Sequence, residues 1–263
     1  TVVALMQAQS TRPIQTFAIG FHEEGYDEAQ HAKAVARHLG TDHTELYVTA
    51  QQALDVVPQL PQMYDEPIAD SSQIPTHLVS RLARRHVTVA LSGDAGDELF
   101  CGYGRYIRTQ EIWNRLRRIP APVRRATGGL LQAVPISTWA GVGTAIGRIW
   151  PTRRRMNRLG EKLHKGAEAL SGANSDAIYI NTISQWTDPA RLAQGTVEPR
   201  TLLTGQPSPL QKLPDVPRMM AYDLLTYLPD DILVKVDRAA MAVSLETRVP
   251  LLDHRVVEFA WRL

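Results

Sequence analysis

The sequence predicts an α/β fold: a doubly wound parallel sheet with helices on both faces, carrying a helical insertion. Three observations predict it. Short apolar runs alternate with helix-periodic segments over residues 1–103, the pattern of βαβ units whose sheet is covered on both sides. Small residues close the strand runs, at Gly20 and at Ser92-Gly93, where ligands of such sheets gather beyond the strand ends. From residue 104 the character changes, and prolines at 120, 122, 135 and 151 cut the chain into short helical pieces.

The elements follow in order. Thr1-Val2-Val3-Ala4-Leu5-Met6 reads as the inside of a buried helix. Residues 14–21 (IQTFAIGF) read as a buried strand, and residues 27–39 as a helix with Ala29, Ala32, Val35, Ala36 and Leu39 on one face and Gly40 at its stop. Residues 44–48 make a second strand. Ile74, Leu78 and Leu82 give residues 72–85 an apolar helical face, and residues 87–91 (VTVAL) are the clearest buried strand. Residues 218–263 read as helices, with Pro229 after Leu224, Leu225 and Leu228 and a second stretch over 232–243. The abrupt opening at Thr1 and the close at Ala260-Trp261-Arg262-Leu263 read as cuts through a longer protein.

The net charge of +2, from 29 basic and 27 acidic residues, argues against a strongly charged partner for the chain as a whole. One cysteine, Cys101, excludes an intrachain disulfide framework and a cysteine zinc cluster, and fits a reducing cytoplasm. No run approaches the roughly 18–20 apolar residues that span a bilayer, and no signal peptide is visible. Residues 105–163 hold thirteen Lys and Arg against Glu111 and Glu161, among Trp113, Trp139 and Trp150. A solvated helical insertion is the plain reading; a basic face for nucleic acid or an acidic membrane is the alternative.

Chemistry concentrates in Ser92-Gly93-Asp94-Ala95-Gly96-Asp97-Glu98-Leu99-Phe100, with Gly102 and Tyr103 behind it. Small residues after a strand let backbone N–H groups face an anion, and a following helix adds its positive end. Three carboxylates would repel a bare phosphate. They make sense with Mg²⁺ between them, or as anchors for a cation facing the phosphate; ordinary helix capping by Asp94 or Asp97 is the simpler account. In Asp65-Glu66-Pro67-Ile68-Ala69-Asp70-Ser71-Ser72, capping by Asp70 or Ser71 is explanation enough. Further on, Asp231, Lys235 and Arg238 fall at i, i+4 and i+7, one polar stripe that reads most simply as an exposed ion-pair ladder. Glu246 and Arg248, hemmed by apolar residues and Pro250, read instead as a charge pair in an apolar neighbourhood.

Ser-Gly-Asp-x-Gly-Asp-Glu-Leu-Phe-x-Gly-Tyr at 92–103, then Lys-x-Asp-Arg-x-x-Met at 235–241 and Glu-x-Arg-x-Pro-x-Leu-Asp at 246–253, resembles the synthetase domain of glutamine-hydrolysing asparagine synthetases. Asp-Glu-Pro-x-x-Asp-Ser-Ser at 65–72 and Thr-Phe-Ala-Ile-Gly-Phe at 16–21 are similar to intermediate blocks of that family, in the same order. The blocks cover residues 1–103 and 218–260; the middle contributes nothing to the resemblance.

The resemblance implies one incomplete synthetase domain of the pyrophosphatase-loop ATPase type (adenine nucleotide alpha hydrolase-like). Its α/β nucleotide-binding core would be residues 1–103, its basic helical insertion 104–217, and its helical return to the active site 218–263. It implies adenylation of the aspartate side chain by ATP with Mg²⁺, then displacement of AMP by ammonia from an N-terminal glutaminase domain. By position, Ile19 would touch adenine or ribose through its backbone, and Ser92 and Gly93 would bind the nucleotide. Asp94 would serve acyl-adenylate formation, Asp97 would hold substrate or metal, and Asp237 with Arg238 would lie near the intermediate, with Glu246 and Arg248 as supports. No nucleic-acid or membrane partner is expected, and a homodimer is allowed for. The family's Ser-Gly-Gly-x-Asp-Ser loop is expected before Thr1, and a functional lysine after Leu263. Without them and the glutaminase domain, for whose nucleophile Cys101 is no substitute, residues 1–263 alone are expected to be inactive or nearly so. The same chemistry on another carboxylate, as in β-lactam synthetases, and a non-catalytic anion-binding or nucleic-acid-binding module built on 105–163 are the alternatives.

Overall fold

A computed structural model of the chain describes residues 1–22, 27–139, 159–184, 186, 195–197, 199–205 and 209–263. They form two compact units, residues 1–100 with 223–263, and residues 101–222. Helices alternate with parallel strands in the first unit, a mixed α/β arrangement. No helix among the described residues is long and apolar enough to cross a membrane.

The first unit opens with helix α1 (Val2–Ala8), expected to be buried but without a buried residue. Strand β1 (Gln15–Phe21), helix α2 (Ala29–Leu39) and strand β2 (Asp42–Val48) form a βαβ unit, the strands parallel with Gln15 opposite Asp42 and Phe21 opposite Val48. Gly40 ends α2 in the left-handed region at φ 70°, which a residue lacking Cβ adopts without cost. Helix α3 (Ala50–Leu54) starts from a capping box between Thr49 and Gln52, and α4 (Leu60–Tyr64) ends at Asp65, a left-handed residue at φ 62°. Helix α5 (Gln73–Arg84) buries Leu78, Leu82 and Ala83. Strand β3 (Val89–Leu91) and the one-turn helix α6 (Gly96–Leu99) close this stretch.

The second unit holds helices α7 (Gly104–Leu116), α8 (Ala121–Ala133), α9 (Leu159–Ser171) and α10 (Ser175–Ile183), and most of α11 (Asp215–Leu225). Tyr106, Tyr179, Met219 and Tyr222 form its core. Basic residues do structural work inside it. Buried Arg124 donates to the carbonyls of Ile119, Leu170 and Gly172 and lies over the Trp113 ring, while Arg218 bonds Asp176 and Asp215, each at 2.7 Å. Arg105 stacks on Tyr103, 3.9 Å from the ring centre. Within the insertion, Arg105 and Arg124 thus make internal contacts. Trp150, Pro151 and the arginines of 140–158 lie outside the described residues.

Back in the first unit, a π-helical turn (Leu228–Ile232) leads into α12 (Leu233–Met241), then strand β4 (Glu246–Arg248) and α13 (His254–Ala260). The expected sheet is present among the described residues as two parallel pairs, β1-β2 and β3-β4. Phe17 of β1 and Ala90 of β3 pack on one apolar cluster, made by Ala83, Ala240 and Leu245. Val48, Val56 and Leu78 form a second cluster with Ile19 and Phe21 against it. Each buried valine or leucine of these clusters contributes about 1.5–3 kcal/mol, each alanine less.

Two expectations need correction here. Residues 87–91 are not deeply buried: the strand covers 89–91, and Val89 and Leu91 remain 39% and 41% exposed. Among the described residues β3 has one strand neighbour, β4, and the face that carries Val89 and Leu91 is only partly covered. Strand β4 lies in a stretch read as helical. Three residues are too few for a period-2 signal, and the pairing that makes them a strand comes from β3, more than 150 residues earlier.

At Gly20, an added Cβ would lie 2.8 Å from Tyr47 Cε1 and 2.9 Å from Ala29 Cβ; at Gly93 it meets nothing within 4 Å. Gly20→Ala should lower unfolding free energy by about 1–3 kcal/mol in urea titrations, whereas Gly93→Ala should leave it within about 0.5 kcal/mol.

Candidate functional site

The turn after β3 is held from below. Its backbone extends the ladder by one bond, Ser92 N–H donating to the Arg248 carbonyl at 2.9 Å. Ala95 takes a left-handed conformation at φ 68°, unfavourable for an L-residue with a Cβ by roughly 1–2 kcal/mol. Burial holds it there: Ala95 and Leu99 pack with Leu228 and Ile232 in one cluster. Above this floor, Ser92 Oγ is buried without a hydrogen-bond partner, Gly93 is exposed, Asp94 is half-buried and Asp97 is exposed. An orphaned buried hydroxyl costs about 1–3 kcal/mol, so a partner from a ligand or water would be favoured there.

Helix capping does not account for the acids, because α6 has Ala95 at its N-cap and no side-chain cap bond. The helix is one turn long, so the positive helix end expected there is correspondingly weak. Among the described residues no group of three or more His, Cys, Asp and Glu is placed to hold a metal ion. A hydrated Mg²⁺ needs no such cage when it arrives on phosphates, since one or two carboxylates suffice.

The second constellation lies on α12. Asp231, Lys235 and Arg238 do not form the expected exposed ladder, because Lys235 is buried and its partner is remote in sequence. Lys235 Nζ donates to Asp70 Oδ2 at 2.6 Å, with side chains 8% and 19% exposed. Asp70 also accepts from Ser72 N–H at 2.8 Å, a bond that forms the turn before α5; α5 itself starts at Ser72 with no side-chain cap bond, so capping by Asp70 or Ser71 is not what the segment provides. Tyr64, fully buried, donates from its hydroxyl to the Lys235 carbonyl at 3.3 Å. Asp231 Oδ1 is buried with no hydrogen-bond partner, placed there by the π-helical turn, a rare distortion that recurs at functional sites.

These groups shape one another's protonation. Burial alone would raise Asp70, but the Lys235 ammonium and the bonds from Ser72 outweigh it and hold the carboxyl below its usual range. Asp231 is raised, first by burial and then by the Asp70 carboxylate, against a smaller pull from Lys235. Burial and the same two acids push the Tyr64 phenol up to about 12.

One turn further along α12, Arg238 Nη1 donates to Asp65 Oδ2 at 2.8 Å, with side chains 47% and 71% exposed. Asp237 is exposed beside it. Glu246 and Arg248, read as a pair in an apolar neighbourhood, are solvated, 53% and 65% exposed, and bonded at 2.7 Å. Two residues apart on a strand, they share one face, and that face is open.

The third feature is a cavity of about 530 Å³ between α1, β1 and α2, lined by Val3, Phe17, Ile19, Ala32, Val35 and His43 among others. Ile19 thus borders a pocket, but Ser92, Gly93, Asp94 and Asp97 do not line it. No hydrogen bond or ion pair joins those four residues to Asp237 or Arg238. Ser92 through Asp97 stand together on the turn after β3, and Asp70, Tyr64, Lys235 and Asp231 form a second cluster. Tyr64 and Lys235 were missed as members of a cluster because their partners are far away in sequence.

The family model described as Asparagine synthase matches residues 1–263. The chain belongs to the asparagine synthase family. The match runs through the middle as well as the recognised blocks. A putative glutamine-hydrolyzing asparagine synthetase of Mycobacterium tuberculosis is 32% identical over 263 residues, covering 100% of this chain and 37% of the relative. Glutamine-hydrolyzing asparagine synthetase 1 of Bacillus subtilis is 28% identical over 250 residues, 95% of this chain and 36% of its own length. The Homo sapiens asparagine synthetase matches over 104 residues at 35% identity, 38% of this chain and 18% of its own. The chain therefore spans little more than a third of the curated relatives that it matches along its length.

Two stability predictions follow from the Asp70–Lys235 cluster. Lys235→Met leaves two carboxylates without their ammonium and should cost about 3 kcal/mol of unfolding free energy. For Asp231 the fold favours the protonated form. That contribution is complete below the ordinary value of 3.8 and is lost as pH rises through the raised one. Asp231→Asn should therefore raise the melting temperature at pH 7.5, with the gain shrinking as pH falls toward 4; a gain that grows in acid contradicts the assignment.

Proposed function

We propose that this chain is the ATP-dependent synthetase portion of an amide-forming carbon–nitrogen ligase. The observation that carries the reading is the β3 tip: an orphaned buried Ser92 hydroxyl, an open Gly93 and two acids on a turn fixed by the core. Membership of the asparagine synthase family supplies the reaction class, and the relatives' names supply asparagine as the product. On this reading β1-β2 and β3-β4 are parts of one pyrophosphatase-loop-type sheet within a single synthetase domain.

The chemistry divides into two transfers. An oxygen of the aspartate side-chain carboxylate attacks the α-phosphorus of ATP, and pyrophosphate departs with the bonding electrons of the broken P–O bond. The acyl-adenylate then accepts ammonia at its acyl carbon, AMP leaves, and one proton is lost from nitrogen to give the amide. Alignment and charge neutralisation are what the protein contributes.

In this reading Ser92 Oγ and the Gly93 backbone bind nucleotide phosphate, and Ile19 borders the adenine or ribose through its backbone. Asp94 aids formation of the acyl-adenylate. Asp97 holds the substrate or a hydrated Mg²⁺, which when bound with ATP neutralises phosphate charge. Asp237 and Arg238 face the intermediate. Ammonia comes from a glutaminase domain in the same protein, which works in the cytoplasm. A polyanion-binding module built on residues 105–163 is less well supported, because Arg105 and Arg124 make internal contacts.

The test is pyrophosphate–ATP exchange by the full-length protein across a panel of carboxylates. Exchange that depends on aspartate supports the reading; exchange that ignores aspartate but responds to another carboxylate overturns the substrate while keeping the reaction. Asp94→Asn should retain Mg·ATP binding and lower exchange at least a hundredfold, the low end of what one transition-state group contributes.

A further inference from the structure

The segment 65–72 is tied to α12 at two points, three residues apart on the helix. The inner tie, Lys235 to Asp70, is buried, and the outer tie, Arg238 to Asp65, lies in water. Such ties differ in kind. Breaking a buried pair strands a charge in low dielectric, whereas an exposed pair holds little and exchanges readily with solvent or another ion. The inner pair can therefore keep the segment in place while the outer one opens and closes.

Both partners of the outer tie are held by their backbones. Arg238 precedes Ala239 and Ala240, which are completely buried, so the root of its side chain is fixed on α12. Asp65 ends α4, its N–H donating to the Pro61 carbonyl at 3.3 Å, and it holds a left-handed conformation at φ 62°. A left-handed non-glycine residue carries strain, which is retained where the surrounding structure demands it. The Asp65 carboxylate makes one bond, to Arg238, and that bond is exposed and contributes little to stability. A guanidinium is a planar fork suited to carboxylate or phosphate oxygens, and Asp65 presents one such group to it.

We propose that Asp65 is an intramolecular placeholder: its carboxylate occupies the Arg238 guanidinium until an anionic group of a bound substrate displaces it. The inference rests on the reading of Arg238 as a residue that faces the intermediate. It adds that the ligand-free protein keeps this cation neutralised, and that substrate binding works against a built-in competitor. The displacing anion is a carboxylate of the amino-acid substrate or a phosphate of the nucleotide, and kinetics separates the two.

Asp65→Asn is the informative variant, because asparagine tolerates the left-handed conformation and so preserves the end of α4. In the full-length protein, KM for ATP and KM for aspartate are measured by pyrophosphate exchange. One KM should fall two- to fivefold, the most that an exposed pair holds back, with kcat changed less than twofold. The substrate whose KM falls identifies the displacing anion. In an Arg238→Met background the same Asp65→Asn change should leave both KM values where they are. A purely structural Asp65 would lower the melting temperature and raise KM, so unchanged or raised KM values for both substrates overturn the proposal, as does an effect that persists without Arg238. Should the wild-type protein show no exchange at all, the proposed reaction falls, and calorimetric titration with Mg·ATP and with aspartate still decides the placeholder. Tighter binding of either ligand to Asp65→Asn supports it, and equal or weaker binding of both overturns it.

Discussion

The buried bond between Lys235 and Asp70 is the constraint on which the rest of the candidate site depends. It joins groups 165 residues apart and fastens the segment 65–72 to α12. An ammonium with an 8% exposed side chain is not stable alone, and neither is the carboxylate that meets it. Each therefore makes the other's position obligatory. Tyr64 adds a hydroxyl bond to the Lys235 backbone, so α4, the segment after it and α12 are joined at one place. With the inner residue fixed, the residues that follow it on α12, Asp237 and Arg238, have a defined direction.

The β3 tip depends on a different kind of constraint, apolar rather than ionic. Ala95 would relax out of its left-handed conformation if it were free, but its methyl group is packed with Leu99, Leu228 and Ile232. Residues of the return segment thus form the floor under the turn that carries Ser92, Gly93, Asp94 and Asp97. Among the groups above it, Ser92 Oγ is buried with no hydrogen-bond partner. A rigid floor below an unmet polar group is the arrangement expected of a surface prepared for a ligand.

How legible this was in the sequence varied with the range of the interaction. The βαβ unit of β1, α2 and β2 could be read because its signals are local: an apolar run, a 3.6-residue period, and Gly40 at the stop. The strand tip at Ser92 was legible through composition, since small residues and acids follow one another there. The Asp70–Lys235 pair was not. Asp70 before Ser72 looks like a cap, but it holds only the turn ahead of α5; nothing near it announces a lysine at the far end of the chain. Lys235 likewise shared a helix stripe with Asp231 and Arg238, and periodicity cannot tell which members of a stripe are covered. Strand β4 failed for the same reason, because its partner supplies its identity. The exposure of Val89 and Leu91 shows the converse, that an apolar run does not guarantee a covering layer.

On the proposed reading the β3 tip receives nucleotide phosphate while the Lys235–Asp70 bond keeps α12 in place. A crystal structure of the full-length protein with Mg·ATP and aspartate tests it most directly. A phosphate oxygen should lie within hydrogen-bond distance of Ser92 Oγ and the Gly93 backbone, with Lys235 still bonded to Asp70. Nucleotide bound elsewhere, with Ser92 Oγ satisfied by protein or left unpartnered, would contradict it.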